Sequence, residues 1–143
     1  MRTVDWVKFA TIARAHLGRP YKFGGKLFLG DPAPDMKIPV DCSGFTRHVY
    51  SCVGIYIPEG SGAQYVHSYP ADAAVGVLGF FKDKERVYHV GLLLDEKNVI
   101  EARAPEAGKD YGRVILRPRR NWELYPRFSG WRWPDAIRDD IPI

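Results

Sequence analysis

The sequence predicts an α+β domain, with helices first and an antiparallel sheet after them. Three observations carry this. Apolar residues recur at helical spacing over residues 3–17 and again over 42–53. From residue 77 the pattern changes to short runs rich in β-branched and aromatic residues. No helical pattern is read between those runs, which marks α+β rather than alternating α/β organisation.

Each element has its own signal. Trp6, Phe9, Ala10, Ala13 and Leu17 line one face of the first segment, with Thr3 as its N-cap and Gly18 and Pro20 as its stop. "YKFGG" at 21–25 brings paired glycines that permit a tight turn or close approach. Residues 26–40, "KLFLGDPAPDMKIPV", read as a long loop, and loops of that length are often functional. Phe45, Val49, Cys52 and Val53 form the second stripe, with Asp41 as N-cap and Gly54 at the end. "PEGSGAQ" at 58–64 reads as a turn followed by a short polar segment. The strand-like runs are "VLGFF" (77–81), "VYHVGLLL" (87–94), "NVIEA" (98–102) and "RVILR" (113–117), with "DEK" as a hairpin turn. Residues 122–133 are aromatic and are assigned a last strand. The tail 134–143 shows no period and is placed on the surface. The chain is read as a single domain over 1–143, with a core at about 3–133.

Composition narrows the function. The 143 residues can bury a core of their own, and 45% hydrophobic with 27% charged residues is ordinary for a soluble globular chain. No apolar run reaches the ~18–20 residues of a membrane span. The N-terminus lacks the uninterrupted apolar block of a secretory signal. The chain is therefore read as cytoplasmic as made, exported by another route, or a mature or excised domain. A net charge of +4 suits an anionic partner such as nucleic acid or a bacterial wall. The basic residues are scattered apart from "RPRR" at 117–120, read as a solvated face, and no nucleic-acid motif is present.

The stretch "PVDCSGFTRHVYSC" (39–52) sets the chemical question. On a helix its two cysteines lie ~15 Å apart. A disulfide needs Cα atoms within about 7 Å, so the two are not bonded to each other. Metal-ligand spacings are missing. Cys52 falls on the apolar stripe and is read as core. Cys42 falls on the first turn, where the helix dipole and unpaired N–H groups favour a thiolate and can donate to an oxyanion.

A thiolate nucleophile needs an imidazole, and the imidazole needs an orienting group. His48 is on the same helix as Cys42 but about 1.7 turns on, so it points away. His16 lies near a helix end and His67 in a polar stretch. His89 stands inside an apolar strand, where a polar residue is out of pattern. Taken alone, it reads more readily as a structural histidine. Glu101 is equally out of pattern in the next strand, and a turn at 95–97 places it almost opposite His89. A carboxylate there is expected to hold the ring Nδ1–H and favour the imidazolium.

The chain resembles the NlpC-type family of papain-like cysteine peptidases, which cut cell-wall peptides. Four blocks carry the resemblance, from about residue 8 to 132: "ARAHLGRPYKFGG", "DCSGFTRHVYSCVGIYIP", "HVGLLL" and "VIEA". It implies a papain-like fold with the Cys42 helix packed on an antiparallel sheet. Cys42 would be the nucleophile, with its backbone N–H in the oxyanion hole. His89 would be the general base and acid, and Glu101 the third member. Tyr21, Asp41 and Ser43 match positions that line the family's active site and hold the free amine of an N-terminal L-Ala. Val77 stands where the family often has Asp, which implies an altered turn. Loop 26–40 is longer than usual and is expected to wall the groove.

The implied activity is hydrolysis of peptidoglycan stem peptides at the γ-D-glutamyl link to the third-position diamino acid. No metal or organic cofactor, nucleic acid or membrane span is implied, and the chain is taken as a monomer. It is expected to act on the cell wall, phage-associated or as part of a larger exported protein. Two alternatives stand beside this. One is an amidase, acyltransferase or toxin effector on the same fold; the other is a non-catalytic phage tail or wall-binding module.

Overall fold

The computed structural model describes residues 1–105 and 112–138. Helix α1 (Trp6–Ala15) starts later than the periodicity implied. Asp5, not Thr3, caps it, its carboxylate accepting from Lys8 N at 3.0 Å. Phe9, Ile12 and Ala13 are its buried face, and Leu17 lies beyond the end, exposed. Helix α2 (Cys42–Ser51) begins at the cysteine, with Asp41 as N-cap. Two further helices were not read from sequence: α3 (Ser61–Val66) and α4 (Arg119–Leu124). The second corrects the expectation of an uninterrupted run of strands.

The strands are β1 (Ser68–Pro70), β2 (Leu78–Lys82), β3 (Val87–Leu93), β4 (Asn98–Arg103), β5 (Arg113–Pro118) and β6 (Phe128–Pro134). They form one antiparallel sheet in the order β1-β6-β2-β3-β4-β5. Helices cover both faces. Leu78, Phe80, Val90, Leu92, Ile100 and Ala102 share a cluster with Phe9, Ala13, Phe45 and Val49 of α1 and α2. Val77, Phe81, Leu93 and Val99 share another with Trp122 of α4 and Trp131. Burial of both faces explains why "VLGFF" and "VGLLL" read as continuous apolar runs rather than alternating ones. The tail is not all surface either. Asp135–Ile137 form a 3-10 turn, and Ile137 is fully buried. Residues 139–143 lie outside the described part. No described helix is long and apolar enough to cross a membrane.

Loop 26–40 is fastened by side chains from the helix ends. Arg19 is 1% exposed. Its Nε donates to His16 Nδ1 at 3.0 Å, and its Nη atoms donate to the carbonyls of Asp35, Ile38 and Pro34 at 2.7, 2.8 and 3.0 Å. His48 Nδ1 donates to the Phe28 carbonyl at 2.9 Å, and Gly30 N donates to Ser51 Oγ at 2.9 Å. Burial, helped by the Arg19 and His48 charges, pushes His16 down to about 4, so its ring accepts as a neutral group. Replacing Arg19 by leucine strands three loop carbonyls. The expected loss is about 2–4 kcal/mol of unfolding free energy, read by urea denaturation, with new proteolysis within 26–40. An unchanged midpoint would refute this role.

Candidate active site

Cys42 is the first helical residue of α2, where a backbone N–H has no intrahelical acceptor. Asp41 Oδ1 takes the Gly44 N–H at 2.7 Å, and its carbonyl takes the Phe45 N–H. Asp41 Oδ2 accepts from Gly24 N at 3.2 Å, tying the "GG" turn to the helix. A Cβ on Gly44 would lie 2.6 Å from the Gly25 carbonyl oxygen, so the second motif needs glycine there to meet the first. Gln64 of α3, 1% exposed, adds a brace. It donates to the Ser43 carbonyl at 3.0 Å and accepts from Thr46 Oγ1 at 2.7 Å.

His89 on β3 meets this helix start. Its Nε2 is 2.9 Å from Glu101 Oε1, and the ring lines one cleft with Cys42, close enough for the thiol to raise its pKa. With Nε2 taken by the carboxylate, Nδ1 is the nitrogen left for sulfur. That reverses the expectation that Glu101 would hold Nδ1. The register puts the two positions two residues from directly opposite, within what the turn implied. Leu92 pairs with Ile100 and Leu93 with Val99, so the same register sets Gly91 opposite Glu101 and makes His89 its diagonal neighbour on that face. A diagonal pair is still within reach of long side chains.

Sequence reasoning missed what holds Glu101. The carboxyl is fully buried, and Trp122 Nε1 donates to its Oε2 at 2.7 Å. Arg103 Nη1 lies 3.5 Å from Oε1. Trp122 comes from α4 and lies over Gly91, where a Cβ would meet its ring at 2.7 Å. The glycines in "HVGLLL" and "VLGFF" both make room for that indole, since a Cβ on Gly79 would meet it at 3.1 Å. His89 packs against Phe81 and Trp122, with ring centroids 5.4 and 5.6 Å away, while those two rings lie 4.2 Å from each other.

The electrostatics follow. Burial disfavours the imidazolium, but the bonds and charges of Cys42 and Glu101 outweigh it and raise His89 to about 9. Burial likewise opposes the Glu101 charge, and the contacts with His89, Trp122 and Arg103 overcome it, holding the carboxyl below its usual range. The His89 contribution to stability is complete below the ordinary imidazole range and lost as pH rises through about 9. The Glu101 contribution is present above the ordinary carboxylate range and lost as pH falls below it.

Cys42 and His89 open onto a cleft of about 430 Å³ lined also by Tyr21, Tyr88, Arg103, Arg117, Asn121 and Tyr125. Burial, with the neighbouring Cys42 and Asp41, raises the Tyr21 hydroxyl pKa. Asp41 and Ser43 line a smaller hollow, with Lys26, Leu27, Leu29, Arg47 and Glu59. The start of loop 26–40 thus walls that hollow. The basic run 117–120 is divided, since Arg117 faces the cleft and Arg119 pairs with Glu123 at 3.1 Å. His48 faces away from the cleft, as its spacing implied. Cys52 is the C-cap of α2 and half-buried, not core. Its Sγ lies 3.7 Å from His48 Nε2 and 3.6 Å from the Asp31 carbonyl. Burial raises its thiol pKa.

The family model for NlpC/P60 matches residues 18–114, more than half of the chain. The chain belongs to the NlpC/P60 family. Among sequence relatives, the probable endopeptidase p60 of Listeria innocua is 34% identical over 93 residues, covering 63% of this chain and 18% of the relative. The peptidoglycan endopeptidase RipB of Mycobacterium tuberculosis is 34% identical over 122 residues, covering 80% and 48%. The solved RipB structure superposes with a TM-score of 0.67 at 27% identity over 93% of this chain and 65% of that one. A gamma-D-glutamyl-L-lysine dipeptidyl-peptidase of Bacillus cereus is 37% identical over 87 residues, 54% of this chain and 26% of the relative. The chain therefore spans less than a fifth of the p60 relative and about half of RipB. The mixed helix and antiparallel-sheet architecture is the NlpC/P60 fold expected from sequence.

Proposed function

We propose that the chain is a cysteine peptidase that hydrolyses stem peptides of peptidoglycan at the γ-D-glutamyl bond to the third-position diamino acid. The observation that carries this is His89 beside Cys42 in one cleft, with its ring held by buried Glu101. The names of RipB and of the Bacillus cereus peptidase support the substrate class and the bond.

In this reading Cys42 Sγ, as thiolate, attacks the carbonyl carbon. A C–S bond forms, and the N–H groups at the start of α2 hold the oxyanion. The tetrahedral intermediate then breaks its C–N bond, and protonated His89 gives its proton to the leaving amine. Water, deprotonated by His89, attacks the thioester. The acid product leaves, and the sulfur departs as thiolate beside the restored imidazolium. Glu101 keeps the ring oriented throughout and stabilises it whenever it carries the proton. Asp41 and Ser43 form the acyl side, with Asp41 as the group that attracts a free amine and Tyr21 beside Cys42 where that side meets the larger cleft. Because His89 is raised to about 9, activity is expected to fall on the basic side near that pH.

Digestion of purified sacculi followed by mass spectrometry tests the bond. A new N-terminal diamino acid is the expected product. Release at the sugar–L-Ala amide would instead establish an amidase on the same fold.

A further inference from the structure

The two hollows that meet at the start of α2 differ in charge. The smaller one carries Asp41 with Lys26, Arg47 and Glu59, and Glu59 pairs with both cations at 3.0 and 2.9 Å. Two cations and two carboxylates make that hollow neutral on balance, and Asp41, whose oxygens take backbone N–H groups, is its acidic point beside Cys42. The larger cleft holds Arg103 and Arg117, and no Asp or Glu among its described lining residues. Both arginines stand on the same sheet face as Glu101, because Val99 pairs with Arg117, Glu101 with Ile115 and Arg103 with Arg113. Glu101 is sealed from the cleft, holds His89 and Trp122, and lies 3.5 Å from Arg103 Nη1, partly answering that guanidinium. Asn121 adds a neutral amide to this wall. Tyr88 and Tyr125, with hydroxyls 3.3 Å apart, add polar aromatic surface.

The direction of the substrate follows from the proton. His89 delivers it to the leaving amine, so that nitrogen lies at His89 and its residue continues into the cleft that His89 lines. An amino acid offering that nitrogen carries a carboxyl carbon two bonds away, free when the residue is C-terminal. A guanidinium meets such a group with two parallel N–H···O bonds, more selectively than a point charge. We propose that this cleft binds a free carboxylate on the leaving half of the substrate, anchored by Arg117 with Arg103 beside it. The inference rests on the peptidase reading above and narrows its substrate class. Short, unamidated stems with a free carboxylate just after the cut bond are preferred over amidated or extended ones. An acidic group at one end and basic groups at the other fix the direction of the peptide across Cys42.

The test uses two synthetic tripeptides, L-Ala-γ-D-Glu-L-Lys with a free C-terminal carboxylate and its C-terminal carboxamide. Cleavage is measured with the intact protein, and binding by calorimetry with the Cys42→Ala variant. The acid is expected to be favoured by about tenfold or more in both kcat/KM and Kd. In Arg117→Gln that preference falls below about threefold, while Arg117→Lys, which keeps the charge without the fork, retains an intermediate preference. Equal binding of acid and amide to Cys42→Ala would overturn the proposal. So would a preference that survives both Arg117→Gln and Arg103→Gln. Binding decides the question without turnover: acid-selective binding with no cleavage would sink the peptidase reading and leave the carboxylate site standing.

Discussion

Replacing Cys42 by alanine abolishes stem-peptide cleavage, with an expected loss of ~10⁴-fold or more in kcat. The side chain is partly buried at the first position of α2 and carries no cap, so the fold survives. Asp41 still takes the Gly44 N–H, and Gln64 still braces the turn. What disappears is the atom that forms the bond to carbon. A second readout is independent of activity. The neighbouring Cys42 thiolate helps raise His89 to about 9, so in Cys42→Ala the imidazole should titrate at lower pH by nuclear magnetic resonance. Unchanged wall digestion by a folded Cys42→Ala protein would end the catalytic reading.

Glu101→Gln has the second largest effect, and its cause is a count of donors. In the native site both carboxylate oxygens face N–H groups. Oε1 meets His89 Nε2, with Arg103 nearby, and Oε2 meets Trp122 Nε1. An amide has one oxygen to offer. Whichever way it turns, its NH₂ points at a donor. Turning the NH₂ to Trp122 buries two opposed donors, at a cost of about 1–3 kcal/mol. Turning it to His89 makes Nε2 an acceptor and moves the ring proton to Nδ1, toward Cys42. That tautomer is not able to take a proton from the thiol. The expected loss in kcat is on the order of 10²–10⁴-fold. The basic limb of the pH profile moves to lower pH, because the charge that helps hold the imidazolium is gone. Coupling to Trp122 gives a further check. Trp122→Phe should cost less stability in the Glu101→Gln background than in the native protein, since it then removes a conflict rather than a bond. Additive costs, or a native pH profile in Glu101→Gln, would contradict this account.

The sequence by itself determined what neighbouring residues settle among themselves. The start of α2 at Cys42 was legible because Asp41 is a capping residue and Phe45 and Val49 follow at helical spacing. His89 and Glu101 stood out because ionisable groups interrupt apolar strands. The order of helices and central strands followed from the change of period. The short elements were not legible. Helices α3 and α4 are six residues each, and β1 is three, too few for a period to appear.

Tertiary structure decided depth, register and partners. Periodicity places Cys52 on a stripe, but the helix ends there, and a C-cap is not core. The turn at 95–97 brings two strands together, but the register sets His89 diagonal to Glu101, and the carboxylate takes Nε2. Arg119 and Arg120 read as surface charge, yet they open the helix that carries Trp122 onto Glu101. Arg19 sits between a stop glycine and a proline, with no local sign that it anchors a loop ending about twenty residues later. The physical reason is the same each time. Local spacing fixes which way a side chain faces, whereas hydrogen-bond partners and buried charge pairs are chosen among groups that meet when the chain folds.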